Sequence, residues 1–346
     1  MPPKRKAKDD TESSKKQRTR SVDGSDNARS QLPYTFSDSS VSPDVAIEMF
    51  GKTYHLHSTI LRLSSGFFDK SLSDTWWKPE NSHSGPGGIK YRYKLVLDKK
   101  DPWSSILEPF PPDDGDGKGK AKGGNMDDLH DTYICLFRIF YQTSFELSGG
   151  VSEQLHKIEL IVELAEFYCA MRSVSHRISM ELIAWSHRFG ELDSYASKII
   201  TLASKVRSEI LFNDAFVHLV GKWKIDRHHT RGMDDNVRYL IDKEYMRIQE
   251  LKSKVDRKLA YYVSNPQKKY DRDAIHSLRQ ALQSVFQETV FYQRVAAISG
   301  NWAIETLRPL VEPLLASEIM LYTFGFTYKH LTCAKLNGDF PWRDIE

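Results

Sequence analysis

"GKTYHLHSTILRLSSGFF", residues 51–68, holds two histidines, His55 and His57, two positions apart, then an apolar run that stops at Ser-Ser-Gly and two phenylalanines. On an extended strand such residues share one face, which is one way to begin a metal site. A tetrahedral metal needs two further ligands, and no downstream cluster of His or Cys supplies them. The stretch reads better as the place where a strand gives way to a helix.

The flanking sequence supports that reading. "DVAIEMF" (44–50) alternates, with Val45, Ile47 and Met49 on one face. Gly51-Lys52 offers a tight turn, and Tyr54 and Leu56 share a face of the next strand, which together predict a β-hairpin. From Ser58, a candidate cap, the period changes: Ile60, Leu61, Ser64 and Phe68 fall at helical spacing, and Gly66 breaks the helix before a second short one in "FFDKSLSD". "IKYRYKLVLD" (89–98) predicts a strand with Tyr91, Tyr93, Leu95 and Leu97 facing one way and Arg92 and Lys94 the other. Two helices follow, one marked by Leu129, Tyr133, Leu136, Phe137 and Phe140, the other by Leu155, Ile158, Ile161, Val162, Ala165 and Cys169. Residues 171–335 are almost wholly helical in pattern. Val237, Leu240, Ile241, Ile248, Leu251, Val255, Leu259 and Tyr262 predict one long amphipathic helix, and Ile275, Leu278, Leu282, Val285 and Phe286 another beyond Asn265-Pro266.

Composition sets the limits around this core. Of 346 residues 40% are hydrophobic, enough to bury a core, and no apolar run is long enough for a membrane span. The N-terminus lacks the apolar stretch of a secretory signal. Cys135, Cys169 and Cys333 are far apart among apolar neighbours and are expected to be reduced, buried thiols. Residues 1–20 carry eight Lys/Arg against three Asp/Glu, leaving 41 basic and 43 acidic residues in the rest, so a basic tail precedes a near-neutral body. Residues 1–42 are poor in apolar side chains and are expected to be a disordered tail. "PPDDGDGKGKAKGGN" (111–125) is expected to be a flexible insert, since long surface loops add little closure entropy.

The chemistry-bearing motifs of enzymes are missing. There is no G-x-S-x-G, no G-x-x-x-x-G-K-[ST] and no G-x-G-x-x-G. "RHHTRG" (227–232) reads as a solvated loop between helices rather than a phosphate grip. No catalytic residue, cofactor or metal is expected. Trp76-Trp77 and Trp103 suit either exposed partner anchors or a cover over the core.

The segment from about 42 to 170 resembles a BTB/POZ domain. The residues that carry the resemblance are Asp44 before a hydrophobic strand, Tyr54 and His57 at the helix start, Leu61, Ser64, Phe67 and Phe68, then "FYQT" (140–143) and "ELIVELAEFYCA" (159–170). Together with "LASKVRSEILFNDAFVHLVGKW" (202–223), the arrangement is most similar to BTB proteins of filamentous fungi. Gly66 stands where that family usually has Pro, and Ser58 where it often has Lys or Arg, so a charged pocket built on Asp44 is not expected.

The resemblance implies an α+β chain: a disordered basic tail (1–42), a BTB/POZ fold (43–170) of small mixed sheet with flanking helices, carrying the insert 111–125, and an all-α C-terminal region (171–346). It implies a protein–protein interaction module, not an enzyme, that forms a homodimer or pairs with another BTB protein. Ile60 and Leu63 are the candidates for the dimer interface. A subset of the family bridges substrates to cullin-type ubiquitin ligases, so adaptor and scaffold roles are both open. Lys4-Arg5-Lys6 and Lys15-Lys16-Gln17-Arg18 look like a bipartite nuclear localisation signal, which makes a nuclear import receptor a partner and the nucleus the expected location. The rival reading is a dimeric nucleic-acid-associated regulator that binds through its basic tail; the near-neutral body and the lack of a groove-reading motif weigh against nucleic acid. No membrane partner is expected.

Overall fold

The computed structural model describes residues 34–35, 41–73, 75–76, 88–96, 106–109, 125–145, 147, 149–189, 192–223, 233–266, 270–283, 287–321 and 330–343. The tail lysines and arginines at 4–18, the insert up to 124, Trp77, Leu97, Trp103, the loop 227–232, Val285 and Phe286 lie outside them.

Among the described residues the chain is mixed α+β, with five strands in one sheet and eleven α-helices. The strands are β1 (Tyr34–Thr35), β2 (Val45–Met49), β3 (Lys52–Leu56), β4 (Tyr91–Val96) and β5 (Ile106–Pro109), in spatial order β1-β3-β2-β4-β5. The sheet is mixed: β2 runs antiparallel to β3 and parallel to β4. The register places Val45 beside both Leu56 and Tyr91, and Ile47 beside both Tyr54 and Tyr93, so one face is an unbroken apolar surface. All six of these side chains are buried.

Between β3 and β4 lie α1 (Ser58–Ser64) and α2 (Gly66–Ser71). After β5 come α3 (Asn125–Phe140), α4 (Val151–Phe167) and α5 (Met171–Phe189). Leu61, Phe68, Leu129, Tyr133, Leu136 and Phe137 close over the apolar face of the sheet. The helical remainder comprises α6 (Ala196–Val206), α7 (Glu209–Lys222), α8 (Asp235–Ser264), α9 (Arg272–Gln283), α10 (Glu288–Ala296) and α11 (Arg308–Leu315). The core runs on through Ala170 without a gap, because α4 packs on both α5 and α6, and α5 on α7.

Most of the hydrophobic pattern holds. The spacing assigned to the long helix becomes α8, which buries Val237, Ile241, Ile248, Val255 and Leu259. Several local expectations need correction. The hairpin turn is Phe50-Gly51, not Gly51-Lys52: both residues have positive φ, 53° and 73°, and Lys52 already pairs with Met49. A two-residue turn of that hand matches the twist of the flanking strands, and glycine takes its second place at no steric cost. Tyr34–Thr35, expected within a disordered tail, pairs in parallel with β3. Strand β5, hidden in a short run ending in proline, pairs with β4. Cys333 is buried and Cys135 half-buried, but Cys169 is exposed at a left-handed φ of 51°.

Past α11 the described residues form no α-helix, where an all-α region was expected. Residues 316–321 and 330–343 return across α7 and α8 as an irregular strap. Helix α7 buries ten consecutive residues, Leu211–Val220, so its polar members Asn213, Asp214 and His218 must find partners inside the protein.

Candidate interaction surface

Helix α1 is one end of a tightly joined corner. Its N-terminal amides need acceptors from outside the helix. Ser58 is the first helical residue, not the cap: the Asp44 carboxylate reaches across from the start of β2 and accepts from the Ser58 amide at 2.7 Å and from its hydroxyl at 2.5 Å. The carbonyl of Asp44 accepts from the amides of Lys90 and Tyr91, at 2.8 and 3.0 Å, which fixes β4 to the same point. The place of a basic partner is therefore filled by a neutral one. An acidic side chain at a helix N-terminus is also favoured by the helix dipole.

His57, at the N-cap position, is buried. Its backbone amide donates to the Tyr141 hydroxyl oxygen at 2.7 Å. Its Nε2 lies 2.8 Å from the Val41 carbonyl, which can only accept, so Nε2 carries the proton. Nδ1 then accepts from the Tyr141 hydroxyl at 2.8 Å. Both ring nitrogens are thus engaged with protein groups, and His57 has no lone pair left to share a metal with His55. Among the described residues no group of three His, Cys, Asp or Glu side chains is placed to hold an ion.

The junction between α1 and α2 is made by Ser65 rather than by Ser64 or Gly66. Ser65 is extended, with φ −145° and ψ 126°; its hydroxyl accepts from the Phe68 amide at 3.2 Å and donates to the Tyr168 carbonyl at 2.6 Å. The Gly66 amide donates to the Cys169 carbonyl at 3.1 Å. A proline at position 66 would have no N–H to make that bond. A Cβ on Gly66 would also sit 3.2 Å from the Cys169 Cβ.

Tyr168 is the hub that the sequence reading missed. Its ring stacks on Phe68 at 5.7 Å and meets Phe67 and Tyr133 edge to face. Its hydroxyl lies 2.9 Å from that of Tyr133. Burial pushes the Tyr133 hydroxyl up to about 12 and that of Tyr168 well above its ordinary value, so both stay protonated.

With Leu61 and Phe68 fully buried, the remaining faces of the corner point outward. Leu63 is 81% exposed, while Ile60 and Phe67 are half-buried against the core. Thr59 and Arg62 are exposed beside Leu63, and Arg62 Nε sits 3.3 Å from Asp69 Oδ1, a solvated pair worth little on its own. Trp76, just beyond α2, is 72% exposed and so does not close the core. Of the residues that carry the resemblance, Asp44, His57, Leu61, Ser64, Phe67 and Phe68 lie in the α1–α2 corner or bond to it, while Tyr54 lies on β3, where its Oη makes a 2.6 Å hydrogen bond with His130 Nε2 on α3.

No protein-family model and no curated protein matches the chain in sequence. No helix among the described residues is long and apolar enough to cross a membrane.

Proposed function

We propose that the chain is a BTB/POZ-type protein-interaction module that self-associates through the outer face of α1 and works as a nuclear adaptor or scaffold. The observation that carries the reading is Leu63. It is 81% exposed on a seven-residue helix whose Leu61 is fully buried and whose two ends are pinned by Asp44 and Ser65. A leucine held rigidly in water gains by burial against a partner, by about 2 kcal/mol for a complete burial. Rigid presentation also lowers the ordering cost of association. The element order of hairpin, two short helices, strand and paired helices supports the family resemblance.

A symmetric pair is the simplest occupant, because a two-fold places the same patch on both copies. The bulk of the helical C-terminal region is left for a second partner, among them a cullin-type ligase subunit. The basic tail would address the module to the nucleus through an import receptor.

Two differently tagged copies expressed in one cell test the reading. They should co-purify, and Leu63→Asp in both copies should abolish co-purification without lowering expression. Failure of the wild-type copies to co-purify would remove self-association from the proposal.

A further inference from the structure

The polar face of the sheet carries the histidine that the fold leaves unused. Strand alternation turns Ala46 and Glu48 of β2, Thr53 and His55 of β3, and Arg92 and Lys94 of β4 away from the apolar side. The register sorts them into rows. One row runs His55, Ala46, Arg92; the next runs Thr53, Glu48, Lys94, Glu108. In the second row Lys94 stands between two carboxylates. The first sets a guanidinium and an imidazole on either side of an alanine, with no acid between them.

Neither basic side chain is used by the fold. His55 and Arg92 are both half-buried. Among the described residues no carboxylate, hydroxyl or carbonyl accepts from the Arg92 guanidinium, and its Nε is shut off from water with no hydrogen-bond partner. A donor placed in this way loses its hydration and gains nothing in exchange. Burial, and then the charge of Arg92, lower the pKa of His55 below its ordinary value. The charge of Arg92 is therefore felt at the imidazole across Ala46, and no carboxylate raises that ring in compensation.

We propose that His55 and Arg92 form a site for a phosphate group, held above Ala46 on the polar face of the sheet. Their Cα atoms stand two strand spacings apart, about 9.6 Å, so side chains leaning inward from both ends can grip one small ion. The chemistry selects a tetrahedral oxyanion. The planar fork of Arg92 suits two oxygens along one edge of a phosphate. An imidazole N–H of His55 donates to a third oxygen from the other side. A carboxylate has only two oxygens and would satisfy the fork alone. A water would leave the guanidinium charge uncompensated.

The site is distinct from the Leu63 surface. Leu61 and Phe68 close over the apolar side of the sheet, so the sheet itself separates the phosphate site from α1. A phosphate ligand and a second copy of the chain can therefore be held together, and neither result bears on the other. Free phosphate and a phosphorylated side chain share the chemistry that His55 and Arg92 recognise.

NMR of the full chain with labelled histidine rings tests this, the His55 signal being assigned by its loss in His55→Gln. Inorganic phosphate, added at constant ionic strength, should shift the His55 ring saturably. It should also raise the titration midpoint of that ring, because the bound anion offsets the charge of Arg92. Arg92→Gln should weaken binding by about tenfold or more, the loss expected for a charge-assisted hydrogen bond. Arg92→Lys should restore only part of the affinity, since an ammonium lacks the fork. N-acetylphosphoserine amide, titrated alongside, separates the sources: tighter binding than phosphate supports a phosphorylated side chain, and equal or weaker binding supports the free ion. A wild-type His55 ring that neither probe moves would overturn the proposal whether or not any variant folds. So would equal affinity in a folded Arg92→Gln protein.

Discussion

Asp44 accepts two hydrogen bonds from Ser58, from the amide at 2.7 Å and from the hydroxyl at 2.5 Å, and so joins the first strand of the hairpin to the first turn of α1. The bond spans fourteen residues of chain. It does the work of a local cap from a distance, and it sets the direction in which α1 leaves the sheet.

Replacing Asp44 with Ala should therefore cost more than losing an ordinary surface carboxylate. Two donors lose their acceptor, and the expected loss is about 1–3 kcal/mol. Ser58→Ala should cost less, because the amide keeps its acceptor. Urea unfolding of both variants checks the order; an Asp44→Ala midpoint equal to wild type would show that water replaces the carboxylate freely.

Leu61 and Leu63 should separate by burial. Leu61→Ala opens the core and should destabilise by about 2–5 kcal/mol. Leu63→Asp touches solvent in a single copy and should change monomer stability by no more than about 0.5 kcal/mol. Thermal melts followed by circular dichroism measure both.

Gly66→Pro tests what the glycine contributes to the junction between α1 and α2. Ser65 already has the extended backbone that a following proline requires, and proline suits the first helical position. What remains is the lost bond to the Cys169 carbonyl, so the variant should be less stable by about 1 kcal/mol. A gain in stability would mean that this bond contributes less than the chain entropy proline removes.

The sequence made the apolar face of the sheet and the buried stripes of α3, α4 and α8 legible, because period-two and period-3.6 patterns are set by residues that are near neighbours. Leu61 inside came with the family resemblance, and Leu63 outside from its offset of about 200° around the helix. The corner around Asp44 was less visible. Its partner Ser58 looked like a cap by its type, and nothing local announces an acceptor from another strand. Ser65, Tyr168 and Tyr141 were missed for the same reason: their bonds join segments 84 to 103 residues apart. The strap had one faint signal, the run LFNDAFVHLV (211–220), where polar residues interrupt a helix apolar on every side. Such residues need interior partners, but the run does not say that the C-terminus provides them.

The tail makes a cellular prediction. Lys15→Ala with Lys16→Ala should shift a fluorescent fusion from the nucleus toward the cytoplasm, as loss of one basic cluster weakens binding to an acidic receptor groove. Unchanged nuclear accumulation would free these lysines of that role.

Sedimentation equilibrium of the purified full chain tests self-association through α1 most directly. At tens of micromolar the wild type should sediment at twice the chain mass and Leu63→Asp at the single-chain mass, with matching circular dichroism spectra. A wild-type monomer, or a Leu63→Asp protein that remains dimeric, would contradict the account.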